Sequence, residues 1–324
     1  MSAIPSFDQL PIDKDGPFLN AWGLYGRSDQ LGFLNRLTDQ VVKEAATEIK
    51  TGTRVSMNWP LDTPHALPFF GRQAFHQHMY AKSPRCVNDD VWTFNSQSSS
   101  QWDGLRHFAY QKEQKFYNGV TMADIHNTDN EQQNPHVNGI GAWSEKGIVG
   151  RGILIDYESW HQTQTPPRTH DAFSAGSISL ADLKAVLAHQ NTTPKFGDIL
   201  LIRSGYMAQY ASKTHDDLAR LTSVNPPSFF GVEQSEDVLR WIWETFSAVA
   251  ADHPSFECWP SQRKEFLLHE VLLSGWGCPI GELFDLERLA LQCKEAGRYS
   301  FFVSSEPCNV RGGVASPPNI LAIF

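Results

Sequence analysis

No segment of this chain approaches the roughly 20 consecutive apolar residues that a membrane-spanning helix needs. No basic region followed by an apolar one opens it between Met1 and Asp15. The expectation is a cytoplasmic protein with no membrane partner. Cysteine is scarce and poorly placed for structure. The five residues (Cys86, Cys258, Cys278, Cys293 and Cys308) are odd in number and include no CxxC pair. That argues against a disulfide scaffold or a structural zinc site and for a reducing compartment. Clustered positive charge is also missing. The net charge is −9, and no Lys/Arg group is dense enough to track a phosphate backbone, so no nucleic-acid partner is expected.

Further absences narrow the chemistry. No GxxxxGK[ST] loop is present, and Gly139-x-Gly141 lacks the third glycine and the preceding strand of a dinucleotide site. No GxSxG occurs, which argues against the serine nucleophile of an α/β-hydrolase. His269-Glu270 opens an HExxH, but Leu273 stands where the second His belongs. The zinc-binding helix of that motif is therefore missing.

What is there is a chain of 324 residues, 41% hydrophobic and 19% charged, the balance of a globular protein with a substantial core. Aromatics reach 12%, with ten Trp and twenty Phe, enough to line an apolar ligand pocket as well as the interior. Residues 1–37 read as an irregular, Gly- and Pro-punctuated arm that packs on the body or on a partner subunit. Thr38 caps a helix whose stripe is Val41, Val42, Ala45, Ala46 and Ile49, stopped by Gly52. Strands are predicted at 54–59, 91–95, 152–156, 197–205, 248–252 and 300–305, with a short extended segment at 278–283. Helices are predicted at 179–189, 234–246, 265–273 and 286–293. Residues 60–90 read as loop, and 110–147 as a long excursion with a segment able to act as a lid. A Gly/Pro-rich loop runs through Asn319. Helices and strands alternate without a linker or repeat, so the fold class is α/β and the whole of 1–324 reads as one domain.

The stretch Asn95-Ser96-Gln97-Ser98-Ser99-Ser100-Gln101-Trp102-Asp103-Gly104-Leu105-Arg106-His107 concentrates chemistry. A carboxylate and an imidazole stand four residues apart after a β-prone run, with carboxamides at Gln97 and Gln101. Such groups are costly to bury unless paired or coordinated. A solvated loop is the plain alternative. Elsewhere lie His269 and Glu282, with Asp156 and Asp252 at strand ends. Together such residues can hold a divalent cation or run proton transfer without one. The bland alternative for His269 is helix packing, and for Glu282 a surface position.

These residues resemble the hallmark HxGTHxDxPxH of the cyclase family, the superfamily of bacterial kynurenine formamidase and isatin hydrolase. The resemblance is to its longer fungal and bacterial branch. Aligned on Asp103, the two hallmark metal-binding His fall on Gln97 and Gln101, and the last His on His107. Further matches are Trp22-Gly23, Asp29-Gln30-Leu31-Gly32, Gly150 to Asp156, Gly197 to Gly205, Ala251 to Pro254, Leu268 to Leu273, Pro279 to Glu282 and Gly312 to Asn319. The resemblance implies a swivelling β/β/α-type domain, a homodimer or higher homo-oligomer, and a small-molecule substrate. It implies hydrolysis of amide, formamide or lactam bonds, or ring closure in secondary metabolism. His107 would be the acid–base group, and Asp103, Gln97, Gln101, His269 and Glu282 the candidate ligands of a divalent metal (Mn, Mg or Zn). Carboxamides bind zinc far less well than imidazole. Three arrangements therefore stay open: a harder cation on Gln97, Gln101 and Asp103, a single metal on Asp103, His269 and Glu282, or no metal. Hydrolysis with His107 as acid/base is the first expectation, and a metal-independent cyclase or lyase the alternative. Gln97, Gln101 and an aromatic wall of Trp22, Tyr25 and Trp102 are expected to contact substrate.

Overall fold

Three apolar runs that read as buried strands lie side by side at the centre of one sheet. The computed structural model describes residues 4–64, 68–126, 135–166 and 168–324. Its main sheet has nine strands, in the order Arg54–Ser56, Ile320–Ile323, Ser300–Ser305, Ile148–Asp156, Asp198–Arg203, Phe246–Ala251, Ile280–Glu282, Gln101–Asp103 and Ala315–Ser316. The four strands from Ile148–Asp156 to Ile280–Glu282 are parallel, and the flanking pairs are antiparallel. Burial on both faces explains why Ile199–Ile202 and Ala248–Ala251 are continuously apolar instead of alternating. This mixed α/β architecture agrees with the α/β expectation.

Local signals place most helices where expected. Ser179 Oγ accepts from Asp182 N at 3.1 Å to start Leu180–His189, and Ser235 caps Glu236–Thr245 in the same way. Thr38 caps Asp39–Ala45, but the α-helix stops there and continues to Glu48 as a 3-10 turn. The helix expected over 265–273 begins at Leu268 and becomes a π-helix over Glu270–Trp276. π-helical turns occur frequently at functional sites. The helices Tyr206–Ala211 and His215–Ser223, and the strands Ala315–Ser316 and Ile320–Ile323, were not foreseen. No described helix is long and apolar enough to cross a membrane.

The arm packs on its own chain. Trp22 Nε1 donates to Ser274 O at 2.7 Å and Trp276 Nε1 to Leu19 O at 2.7 Å. Gly32 and Gly277, both at positive φ, touch so closely that a Cβ on either would strike the other's backbone. One expectation fails in 60–90. The supposed loop contains the strand His76–Ala81, which pairs with Asn88–Thr93 in a separate two-stranded ribbon. The ribbon is almost wholly exposed and therefore carries no alternation by which to recognise it. Of the 110–147 excursion, residues 127–134 lie outside the described residues. The rest forms short turns and the helices Met122–His126 and Gly141–Lys146.

Candidate active site

The sheet register assembles the site. Strand Gln101–Asp103 runs antiparallel to Ile280–Glu282, with Gln101 opposite Glu282 and Asp103 opposite Ile280. Directly opposed residues share a face, and alternate residues along a strand share it too. Gln101, Asp103 and Glu282 therefore point to one side. Trp102 points to the other, where it is fully buried edge-on to Phe284 and donates to Ser305 Oγ at 2.9 Å. The turn after Asp103 returns His107 over the same side, with His107 Nε2 3.7 Å from Asp103 Oδ2. His269, at the start of the π-helix, brings Nε2 to 3.2 Å from Glu282 Oε1 and 3.9 Å from Asp103 Oδ2.

Hydrogen bonds lock this cluster. Gln97 Nε2 donates to Asp103 Oδ1 at 2.7 Å and lies 3.0 and 3.2 Å from the two His107 ring nitrogens. Gln101 Nε2 donates to Glu282 Oε2 at 2.7 Å. Both carboxamides thus present N–H groups to carboxylates. Behind His269 stands a residue that the sequence did not single out. Glu257 is fully buried, takes His269 Nδ1–H at 2.7 Å, and accepts the backbone N–H groups of Leu268 and His269. Two buried acceptors, Asp103 Oδ2 and Gln101 Oε1, have no hydrogen-bond partner among the described residues.

The two imidazoles are driven apart in acidity. Burial lowers the His107 pKa to about 4, although Asp103 pulls the other way. Burial also disfavours charge on His269, but its bonds to Glu257 and Glu282 outweigh that and raise its pKa to about 10. Burial, and then the neighbouring Asp103 charge, raise the pKa of Glu282. At neutral pH the floor therefore holds a neutral imidazole beside an imidazolium. Environments that separate the acidities of two like groups are the usual way to assign one as base and the other as acid.

A cavity of about 260 Å³ opens over this floor. His107, His269 and Glu282 line its base, and Phe70, Phe108, Pro254 and Trp259 its walls, with Arg72 and Ser255 completing it. The aromatic wall is thus not the expected one. Trp102 is turned into the core by strand alternation. Trp22 is buried against Tyr110, and Tyr25 lines a separate hollow beside Arg36. Arg72, Phe70 and Trp259 lie in stretches without motif or periodicity, which left them invisible to sequence reasoning. The strand-end carboxylates also lie elsewhere. Asp156 caps the helix Tyr157–Gln162 and pairs with Arg203 at 2.7 Å, and Asp252 is enclosed by backbone N–H groups.

Donor atoms of Asp103, His107 and His269 lie within 4.8 Å of one another, a group able to hold a metal ion. Of the five expected ligands, Gln97 and Gln101 turn their N–H groups to carboxylates, and Glu282 is not in this group.

The family model for putative cyclases matches residues 39–258. Among solved structures, the chain is similar to the crystal structure of a novel cyclase at 30% identity. That match covers 94% of this chain and 99% of that one, with a TM-score of 0.79. It is similar in fold to isatin hydrolase A from Labrenzia aggregata bound to benzyl benzoate, at 11% identity, 88% and 97% coverage and a TM-score of 0.56. It is also similar in fold to an isatin hydrolase bound to the product analogue thioisatinate, at 12% identity, 90% and 98% coverage and a TM-score of 0.56. No curated protein matches.

Proposed function

This chain belongs to the cyclase family, and from that premise we propose that it hydrolyses an amide, lactam or lactone bond in a small aromatic or polyketide-like molecule. The observation that carries the reading is a cavity with aromatic walls whose floor sets His107 beside Asp103 and His269 between two buried carboxylates. In this reading His107 accepts the proton of an attacking water and later returns it to the leaving group. Asp103, 3.7 Å away, steadies the imidazolium formed between those steps. The His269 imidazolium, held between Glu257 and Glu282, supplies the positive charge that faces the oxyanion developing on the carbonyl. Glu257 holds that ring in place through Nδ1. Gln97 and Gln101 are positioning residues, because their amides are committed to Asp103 and Glu282. Five free thiols suit the cytoplasm proposed for it.

A divalent cation (Mn²⁺, Mg²⁺ or Zn²⁺) also fits. Asp103 Oδ2 is a buried acceptor without a hydrogen-bond partner among the described residues, and an imidazole nitrogen stands on either side of it. Asp103, His107 and His269 would hold the ion, which supplies polarisation of a carbonyl and acidification of water when bound. A ring nitrogen engaged in that way cannot also accept a proton. Metal analysis of protein purified without chelators tests the reading. Activity on aryl amides, lactams or lactones that survives chelation supports His107 as base. Stoichiometric metal with chelator-sensitive activity assigns His107 as ligand. A second reading, a metal-independent cyclase or lyase, is favoured by the two carboxamides whose N–H groups face carboxylates. It predicts ring closure or dehydration of substrate with no hydrolysis at all.

The proposed macromolecular partner is a second copy of this chain on the ribbon 76–93. Met79 and Trp92, on one face, are 63% and 55% exposed, and Val91 and Tyr80 are exposed on the other. Lys82, Arg85, Asp89 and Asp90 balance in charge there, while the whole chain carries −9, so like-charge repulsion is least at the ribbon. The ribbon also springs from the cavity rim, where Asn95 N donates to Gln73 O at 3.1 Å.

A further inference from the structure

Among the described residues, Arg72 has no carboxylate partner. The one hydrogen bond of its guanidinium among the described residues runs from Nη1 to Gln97 O, at 2.7 Å. Its guanidinium carbon lies 5.2 Å from the centroid of the Phe70 ring. Both residues line the cavity. Arg72 therefore stands where wall meets floor, and its remaining N–H groups have no partner among the described residues. Its charge reaches the floor, where it lowers the pKa of both His107 and Glu282. A half-buried guanidinium with spare donors, beside an aromatic face, matches a planar carboxylate joined to a ring. The rest of the cavity sharpens the match. Phe70, Phe108 and Trp259 offer ring faces and edges for an aromatic body. Asp103 and Glu282 put carboxylates into the floor itself, where they disfavour an anion. An anionic group is thus directed to the Arg72 end, which leaves the reacting carbonyl over His107 and His269.

We propose that Arg72 selects the substrate, and that the substrate is an aromatic compound bearing a carboxylate, which Arg72 grips while the ring lies among Phe70, Phe108 and Trp259. The word substrate rests on the hydrolytic reading above, whereas the recognition is a binding property and is measured without turnover. Calorimetric titration of 2-aminobenzoate and 2-aminobenzamide, matched in shape and differing in charge, tests it on wild type, Arg72→Met and Arg72→Lys. Wild type is expected to bind the acid at least about tenfold tighter than the amide, the scale of one charge-assisted hydrogen bond. Arg72→Met should bind the two within about twofold of each other and hold the amide as wild type does, which also shows that the variant is folded. Arg72→Lys should retain part of the preference. Wild type that binds neither probe, or binds both equally, overturns the proposal. So does an acid preference that survives in Arg72→Met, or loss of both probes in that variant. Failure of the hydrolytic reading has a different signature: the acid preference stays intact while no ring-opening or deacylating turnover is found.

Discussion

Two carboxylate–imidazole clusters of this molecule, around Asp252 and around Asp103, differ in what is left unpaired among the described residues. At the carboxyl end of strand Phe246–Ala251, Asp252 accepts four bonds, from Ser204 N and Oγ and from Gly205 N and Tyr206 N, all between 2.7 and 3.0 Å. Its neighbour His253 is fully buried, with Nε2 2.6 Å from Phe256 O and Nδ1 3.2 Å from Ser204 Oγ. Burial opposes charge on Asp252, yet the His253 ring and the Ser204 bonds prevail and lower its pKa. Each polar atom of the two side chains has a partner and both side chains are fully buried, so the cluster acts as a strut that fixes the loop leading to Pro254 and Ser255 in the cavity wall. The second cluster, around Asp103, His107, His269 and Glu282, keeps two buried acceptors unpaired and faces a cavity. Saturation marks structure, and an unsatisfied acceptor beside open space marks a site.

The comparison is broken most sharply by exchanging the roles. His107→Ala is expected to reduce turnover by roughly 10²–10⁴-fold, the span of general acid–base catalysis, with the melting temperature little changed. On the acid side, the wild-type rate should hold until pH drops through about 4, where His107 takes up the proton that it must lack to act as base. Asp252→Ala should do the reverse. It leaves three buried backbone N–H groups without their acceptor and costs about 3–5 kcal/mol, read as a lower melting temperature, while turnover per folded molecule is largely kept. If His107→Ala keeps full activity, or Asp252→Ala keeps full stability, the division into site and strut is wrong. The smallest effect is expected at the ribbon. Replacing Met79 and Trp92 by Ser should shift wild-type dimers or larger assemblies toward monomer in light scattering, with melting altered little. A wild type already monomeric contradicts the proposed contact.

How much of this was legible depends on which physical rule each residue obeys. Asp103, His107, His269 and Glu282 stand in a recognisable order along the chain, and strand register then brings them together. Trp102 is expected in the aromatic wall of the site, whereas alternation along the strand Gln101–Asp103 sends it to the opposite face. Glu257 escaped notice because nothing in Phe256-Glu257-Cys258 has a spacing to His269; only the π-helical entry at Leu268 and His269 brings their N–H groups to its carboxylate. Arg72 and Phe70 escaped for a related reason. They belong to an irregular segment ahead of an exposed ribbon, where neither periodicity nor burial leaves a trace. The central strands and the capped helices were readable because apolar runs and Ser or Thr caps are local signals, whereas cavity walls are assembled from distant loops.

The most direct test of the account is nitrogen NMR of the histidine rings in the wild-type protein across a pH titration, with His107 assigned by its absence in His107→Ala. At pH 7 the account predicts a neutral His107 beside a His269 protonated on both nitrogens, the latter deprotonating only toward about pH 10. A neutral His269 or a cationic His107 at pH 7 would contradict it.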